Sequence, residues 1–144
     1  MKVLVINGPN LNLLGSRQTE IYGKKTLEEI TRSLRKAFPK VDFHFFQSNS
    51  EGEIIDEIQT AVEGDYAGVI INPGAYSHYS YAIRDALSAV SVPVIEVHLS
   101  NIHKREEFRR NSVISAVCTG VVAGFGATSY VLAVQALLEA VQKK

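Results

Sequence analysis

The stretch VIEVHLSNIHKREEFRR, residues 94–110, decides how this chain is read. It begins inside an apolar run, Val92–Val97, and places a carboxylate and an imidazole near the end of that run. Glu96 and His98 stand two apart, so on a strand both point to the same side. A buried strand has no use for Glu and His on one face unless they serve each other or a ligand. Ser100 takes the next position on that side. A basic turn follows, in which Arg105, Arg109 and Arg110 are interrupted by Glu106 and Glu107. In parallel α/β sheets, ligands bind just beyond the carboxyl ends of strands. The stretch therefore reads as a parallel strand whose end enters an active site.

The chain on either side alternates strand and helix patterns. Val3–Ile6 is a continuous β-branched and Leu run, suited to a strand buried on both faces, and it stops at the turn Asn7-Gly8-Pro9-Asn10. Leu11–Gly23 reads as a long loop with glycine hinges at Gly15 and Gly23, of the kind that closes over a substrate. Thr26 and Glu29 form a capping box for a helix over Thr26–Phe38, whose stripe is Leu27, Ile30, Leu34, Ala37 and Phe38. Val41–Phe46 is a second strand. Ser50 and Glu53 cap a second helix with Ile54, Ile55, Ile58, Ala61 and Val62 on its buried side. Ala67–Ile71 is a third strand, ending at Asn72-Pro73-Gly74. The spacing predicts a third helix over Ser77–Val90 and a fifth strand over Val117–Ala123. A last helix, capped by Thr128 or Ser129, runs to about Val141 and is stopped by Gln142 and two lysines. Five such alternations imply a doubly wound α/β fold, a five-stranded parallel sheet with helices on both faces. Its leading topology is the flavodoxin-like order 2-1-3-4-5, with the crevice between strands 1 and 3.

Composition bounds the function. The 144 residues suit one domain, 1–144, and the apolar and charged fractions of 46% and 21% are those of a globular protein. Formal net charge is zero, which argues against nucleic acid or an anionic membrane as the main partner. The single cysteine, Cys118, rules out an intrachain disulfide framework and reads as a buried thiol. No apolar run approaches the ~20 residues of a membrane span. Met1-Lys2 leads straight into a strand with no room for a signal peptide, so a cytoplasmic location is expected.

Three strand ends carry polar residues that a core would not choose. Strand 1 ends in Asn7 and Asn10, strand 3 in Asn72 followed by Tyr76 and His78, and strand 4 in Glu96, His98 and Ser100. Their convergence on one crevice is what a site requires. Turn chemistry alone accounts for Asn7; for Asn10 and Asn72 the two readings stand level. His98 is the candidate acid or base, because an imidazole with an ordinary pKa of ~6.5 exchanges protons near neutrality. Glu96 would orient one ring nitrogen. His78 and Asp85 are seven apart on the expected third helix and would share a face, serving a polyol, a contact between subunits or merely solvent. Arg17 and Tyr22 share the glycine-flanked loop. A tyrosine base needs its hydroxyl brought well below ~10, and a neighbouring guanidinium would do that. Arg105 and Arg109, four apart, would share a helical face suited to a carboxylate or hydroxyls. His44 and His103 lack partners at metal-ligand spacing. Gly124-Phe125-Gly126 lies between strand and helix, like a dinucleotide fingerprint, but reads as a tight turn because no further βαβ unit follows it.

The segments VINGPNLNLLGSRQTEIYG, QSNSEGEIID, INPGAYSHYSYAIRDAL and EVHLSNIHKREEFRRNS resemble, in order and along essentially the whole chain, those of type II 3-dehydroquinate dehydratase. The resemblance implies a flavodoxin-like fold, dehydration of 3-dehydroquinate to 3-dehydroshikimate in the shikimate pathway, no metal or Schiff-base lysine, and a homo-oligomer that is a dodecamer of trimers. By position it makes Tyr22 the base and Arg17 the lid arginine favouring its phenolate. His98 becomes the acid with Glu96 behind it, and Asn10 the enolate-stabilising asparagine. It assigns Asn72, His78 and Arg109 to the substrate hydroxyls, the backbone amides of Leu99 and Ser100 to its carboxylate, and Asp85 to a neighbouring subunit's site. Two competing readings remain. A flavin- or small-molecule-binding module of the same fold would show itself by colour or ligand, whereas a structural protein would leave the Glu96–His98 pair unexplained.

Overall fold

Five short apolar runs find their hydrogen-bond partners in one another. In the computed structural model, which describes residues 1–143, β1 (Lys2–Asn7), β2 (Asp42–Gln47), β3 (Gly68–Asn72), β4 (Val94–His98) and β5 (Gly120–Ala123) form one parallel sheet of order β2-β1-β3-β4-β5. This is the expected topology. Because side chains alternate along a strand, β1 divides its residues between two cores. Val3 and Val5 join Ile30, Leu34, Tyr130, Val134 and Leu137 on one face. Leu4 and Ile6 join Ile54, Ile58, Ile83, Leu87 and Ile114 on the other. The helices α2 (Leu27–Ala37) and α5 (Thr128–Gln142) cover the first face, and α3 (Glu51–Glu63) and α4 (Tyr81–Ser88) the second. Glu96 has the parity of Val94 and so faces the α3–α4 side.

The caps read from sequence form at two helices. The Thr26 hydroxyl accepts from Glu29 N–H at 3.1 Å and the Ser50 hydroxyl from Glu53 N–H at 3.3 Å. Each satisfies one of the orphan donors of a helix start. Three expectations need correction. The helix expected over Ser77–Val90 is two pieces, a 3-10 turn over Gly74–His78 and then α4, which starts only after Ser80. Ser80 accepts from Ile83 N–H at 3.1 Å and so cuts the pattern in two. His78 and Asp85 therefore do not share a helical face. Neither Thr128 nor Ser129 caps α5. Its cap position is Ala127, and the Ser129 hydroxyl accepts from Phe125 N–H at 3.0 Å, tightening the preceding turn. Arg105 and Arg109 do not share a helix either, since Arg105 is extended backbone between two 3-10 turns, Ile102–Lys104 and Glu107–Arg110. Of the two lysines expected to stop α5, Lys143 follows its last turn and Lys144 lies outside the described residues.

The ends of β1 and β3 meet backbone to backbone. Gly8 N–H donates to the Asn72 carbonyl at 2.8 Å, and a Cβ on Gly8 would lie 2.7 Å from the Pro73 carbonyl oxygen. Only glycine permits that approach. Immediately beyond it, Asn10 takes a left-handed conformation with φ of 68°, which asparagine tolerates better than most residues.

Candidate active site

A cavity of about 160 Å³ opens at the carboxyl ends of β1, β3 and β4. That is several waters' worth of space at ~30 Å³ each and below the ~300–1,000 Å³ of drug-sized sites, so it suits a small metabolite. Its walls come from the turns after the three strands and from the loop between β1 and α2. Asn10, Arg17, Tyr22, Asn72, His78, His98, Leu99, Ser100, Arg105 and Arg109 all line it. Nine of the eleven site residues expected from sequence are thus brought together. Glu96 sits directly behind the wall. Asp85 is exposed on α4 and lies away from this cavity.

Glu96 is fully buried and His98 nearly so. Their side chains meet at 2.6 Å between Oε2 and Nε2. The other carboxylate oxygen accepts from the hydroxyls of Ser112 at 2.9 Å and Ser115 at 3.0 Å. A buried carboxylate is costly unless its lone pairs are met, and here donors reach both oxygens. The two serines stand 16 and 19 residues beyond Glu96. Nothing in the strand pattern marks them, although their spacing of three, on a segment returning to the sheet, is the signal that was available.

Tyr22 ends the short helix α1 (Thr19–Tyr22), inside the loop flanked by Gly15 and Gly23, both at positive φ of 88° and 85°. Two guanidinium groups attend the ring. Arg17 and Arg105 each lie 5.0 Å from its centroid, within cation–π range. Arg105, not Arg17, donates to the phenolic oxygen, at 2.7 Å, and also reaches the Ser100 hydroxyl at 3.4 Å. Arg109 leans over the Phe108 ring and pairs with Glu106, whose carboxyl it holds below the usual carboxylate range. His78 Nδ1 donates to the Asn111 carbonyl at 2.8 Å, which directs Nε2 elsewhere.

A chain of hydrogen bonds lies beneath the crevice. The Tyr130 hydroxyl, from α5, donates to Asn7 Oδ1 at 2.6 Å and accepts from Asn72 Nδ2 at 3.0 Å. Asn72 Oδ1 accepts from Gly74 N–H at 3.2 Å. With Oδ1 and one Nδ2 hydrogen engaged, Asn72 keeps one N–H donor for the cavity. Tyr130 is fully buried, and that burial raises its hydroxyl well above the ordinary tyrosine value, against a smaller opposing effect of Asn72. Sequence reasoning missed Tyr130, because inside an apolar helical stripe it looks like any core aromatic. The lining carries three arginines and two histidines but no Asp or Glu, so the cavity favours an anion.

The comparisons with known proteins agree with one another. The family model described as "Dehydroquinase class II" matches residues 1–138. The chain is 59% identical over 137 residues to a 3-dehydroquinate dehydratase of Chlorobaculum tepidum, covering 94% of this chain and 93% of that one. It is 57% identical over 140 residues to another of Caldicellulosiruptor bescii, covering 96% and 97%. The crystal structure of a type II dehydroquinase from Butyrivibrio crossotus superposes with a TM-score of 0.93 at 49% identity, covering 96% of this chain and 97% of that one. Sheet order, cavity, family model and relatives thus converge, and the chain belongs to the class II dehydroquinase family, a family of hydro-lyases.

Proposed function

We propose that this protein converts 3-dehydroquinate to 3-dehydroshikimate by eliminating water through an enolate, with a tyrosine base and a histidine acid. The observation that carries the mechanism is that Tyr22 and His98, from distant parts of the chain, line one small cavity. Tyr22 removes the proton α to the ketone, and positive charge beside a phenolic oxygen favours the phenolate that does so. Arg105 and Arg17 supply that charge. Asn10 stabilises the enolate oxygen. His98 protonates the C1 hydroxyl as it leaves, so that water departs and the carbon–carbon double bond forms. Glu96 balances the imidazolium. Asn72, His78 and Arg109 hold the substrate hydroxyls, while the backbone amides of Leu99 and Ser100 hold its carboxylate. Asp85, exposed on α4, reaches the neighbouring site of a trimer within a dodecamer, a state that light scattering on the eluted protein tests.

The deciding experiment mixes pure protein with dehydroquinate and follows the ultraviolet absorbance of the conjugated enone, with and without borohydride. Absorbance should rise equally in both. Absence of the enone overturns the activity, and inactivation by borohydride only in the presence of substrate overturns the imine-free route.

A further inference from the structure

The Glu96–His98 pair shares one proton, and the surrounding hydroxyls decide where it sits. The Ser112 oxygen accepts two backbone N–H groups, from Ile114 at 3.2 Å and Ser115 at 3.1 Å. With both lone pairs engaged, its single hydrogen is left to donate, and it donates to Glu96 Oε1. The Ser115 hydroxyl donates to the same oxygen. Hydrogen bonds to a carboxylate favour its charged form. Two of them on Oε1 leave Oε2 free to act as an acceptor toward the ring at 2.6 Å.

We propose that Ser112 and Ser115 are positioning residues that keep this proton on His98 Nε2, leaving Nδ1 to exchange a proton with the ligand in the cavity. The inference rests on the assignment of His98 as the acid. The groups facing the pair are few. Ile71 of β3 and Val121 of β5 bracket Glu96 within the sheet. The segment carrying the two serines also brings the Cys118 thiol within the field of Glu96. Across the cavity from His98 stand Arg17, Tyr22, His78, Arg105 and Arg109. No Asp or Glu lines the cavity to compete with Glu96 for the ring. With the serine donors removed, the buried carboxylate would be under-satisfied. It would then take up a proton from solvent and donate it to Nε2, while the ring's own proton passes from Nε2 to Nδ1, so that the pair holds two protons in place of one. That is the tautomer in which the catalytic nitrogen and the anchoring nitrogen exchange roles.

The test is a ¹⁵N–¹H spectrum of the histidine-labelled full chain, with the His98 signals assigned by their loss in His98→Ala. Above neutral pH the unaltered protein should show His98 as the Nε2–H tautomer. Ser115→Ala removes one hydroxyl whose only hydrogen bond among the described residues is to Glu96, and should populate the Nδ1–H tautomer. It should also lower kcat about ten-fold with KM within about two-fold, as expected for one hydrogen bond to a charged group. Ser115→Thr should restore both. Ser112→Ala should do the same with an added loss of Tm, because two backbone donors lose their acceptor; if it fails to fold, Ser115→Ala decides alone. An Nδ1–H tautomer in the unaltered protein overturns the proposal, as does a Ser115→Ala variant with unchanged tautomer and kcat. The tautomer is read without turnover, so failure of the dehydratase reading would show only in the enone assay.

Discussion

Tyr22 draws its electrostatic partners from two distances along the chain. Arg17 is five residues away in the same loop and was visible from sequence. Arg105 is 83 residues away and was not visible as its partner, yet it is the one touching the hydroxyl. Tyr22→Phe keeps the ring and both cation–π contacts while removing the proton acceptor. It should cut kcat by about 10²–10⁴-fold with dehydroquinate still binding by calorimetry, and His98→Ala should behave alike. Near-normal turnover of Tyr22→Phe would remove the base from the mechanism. Cys118 carries a second prediction. Burial, reinforced by the charge of Glu96, pushes its thiol up to about 12. A raised folded-state value means that stability is fully present below the unfolded thiol's ~8.5 and is lost as pH climbs from there toward the folded value. Burial of Tyr130 acts with the same sign at still higher pH. The folded protein should therefore resist thiol alkylation at pH ~8, and Tm should fall between pH ~8 and ~10.5. Cys118→Ala should flatten part of that fall; an identical slope in the variant would show that the thiol contributes nothing.

Among the elements, α2 and α3, with a cap signal and one uninterrupted stripe, were legible, and the start of α4 was not. Ser77 and Ser80 both precede apolar residues at helical spacing, and neither Gly nor Pro separates them. What selects Ser80 is tertiary. It is buried, and besides capping Ile83 N–H its hydroxyl donates to Glu51 Oε2 at 2.6 Å, tying the start of α4 to that of α3. No local pattern encodes a partner 29 residues away. Ser80→Ala should therefore cost more than an exposed cap, about 2 kcal/mol, or roughly 4–8 °C of Tm for a chain of this size. A loss under ~1 °C in thermal melts would mean that the Glu51 contact is not made in solution. The same limit on local pattern explains why Arg105 is extended backbone ahead of the 3-10 turn that holds Arg109, where charges four apart promised a helix.

For the molecule as a whole, strand order and crevice were readable because a sheet buried on both faces writes itself as apolar runs, and alternation with helices fixes how the runs connect. Net charge was readable too, but it misleads about the site. A chain with formal net charge of zero gathers three arginines around one cavity and sets the carboxylate of Glu96 behind the wall. Binding of an anionic substrate should accordingly weaken with salt. KM should rise severalfold between ~0.01 M and ~0.5 M KCl, as the Debye length shrinks from about 30 Å toward a few Å, with kcat nearly constant. A KM indifferent to salt would show that the arginines serve packing and not capture. Beneath that charged rim, the seam joining Gly8 to Asn72 and Pro73 is main chain against main chain. Side-chain substitution can repaint the walls of the crevice, but it has no atoms to trim from that seam. Changes of chemical preference are therefore open to point mutation, whereas room for a deeper ligand would require the two strands to part.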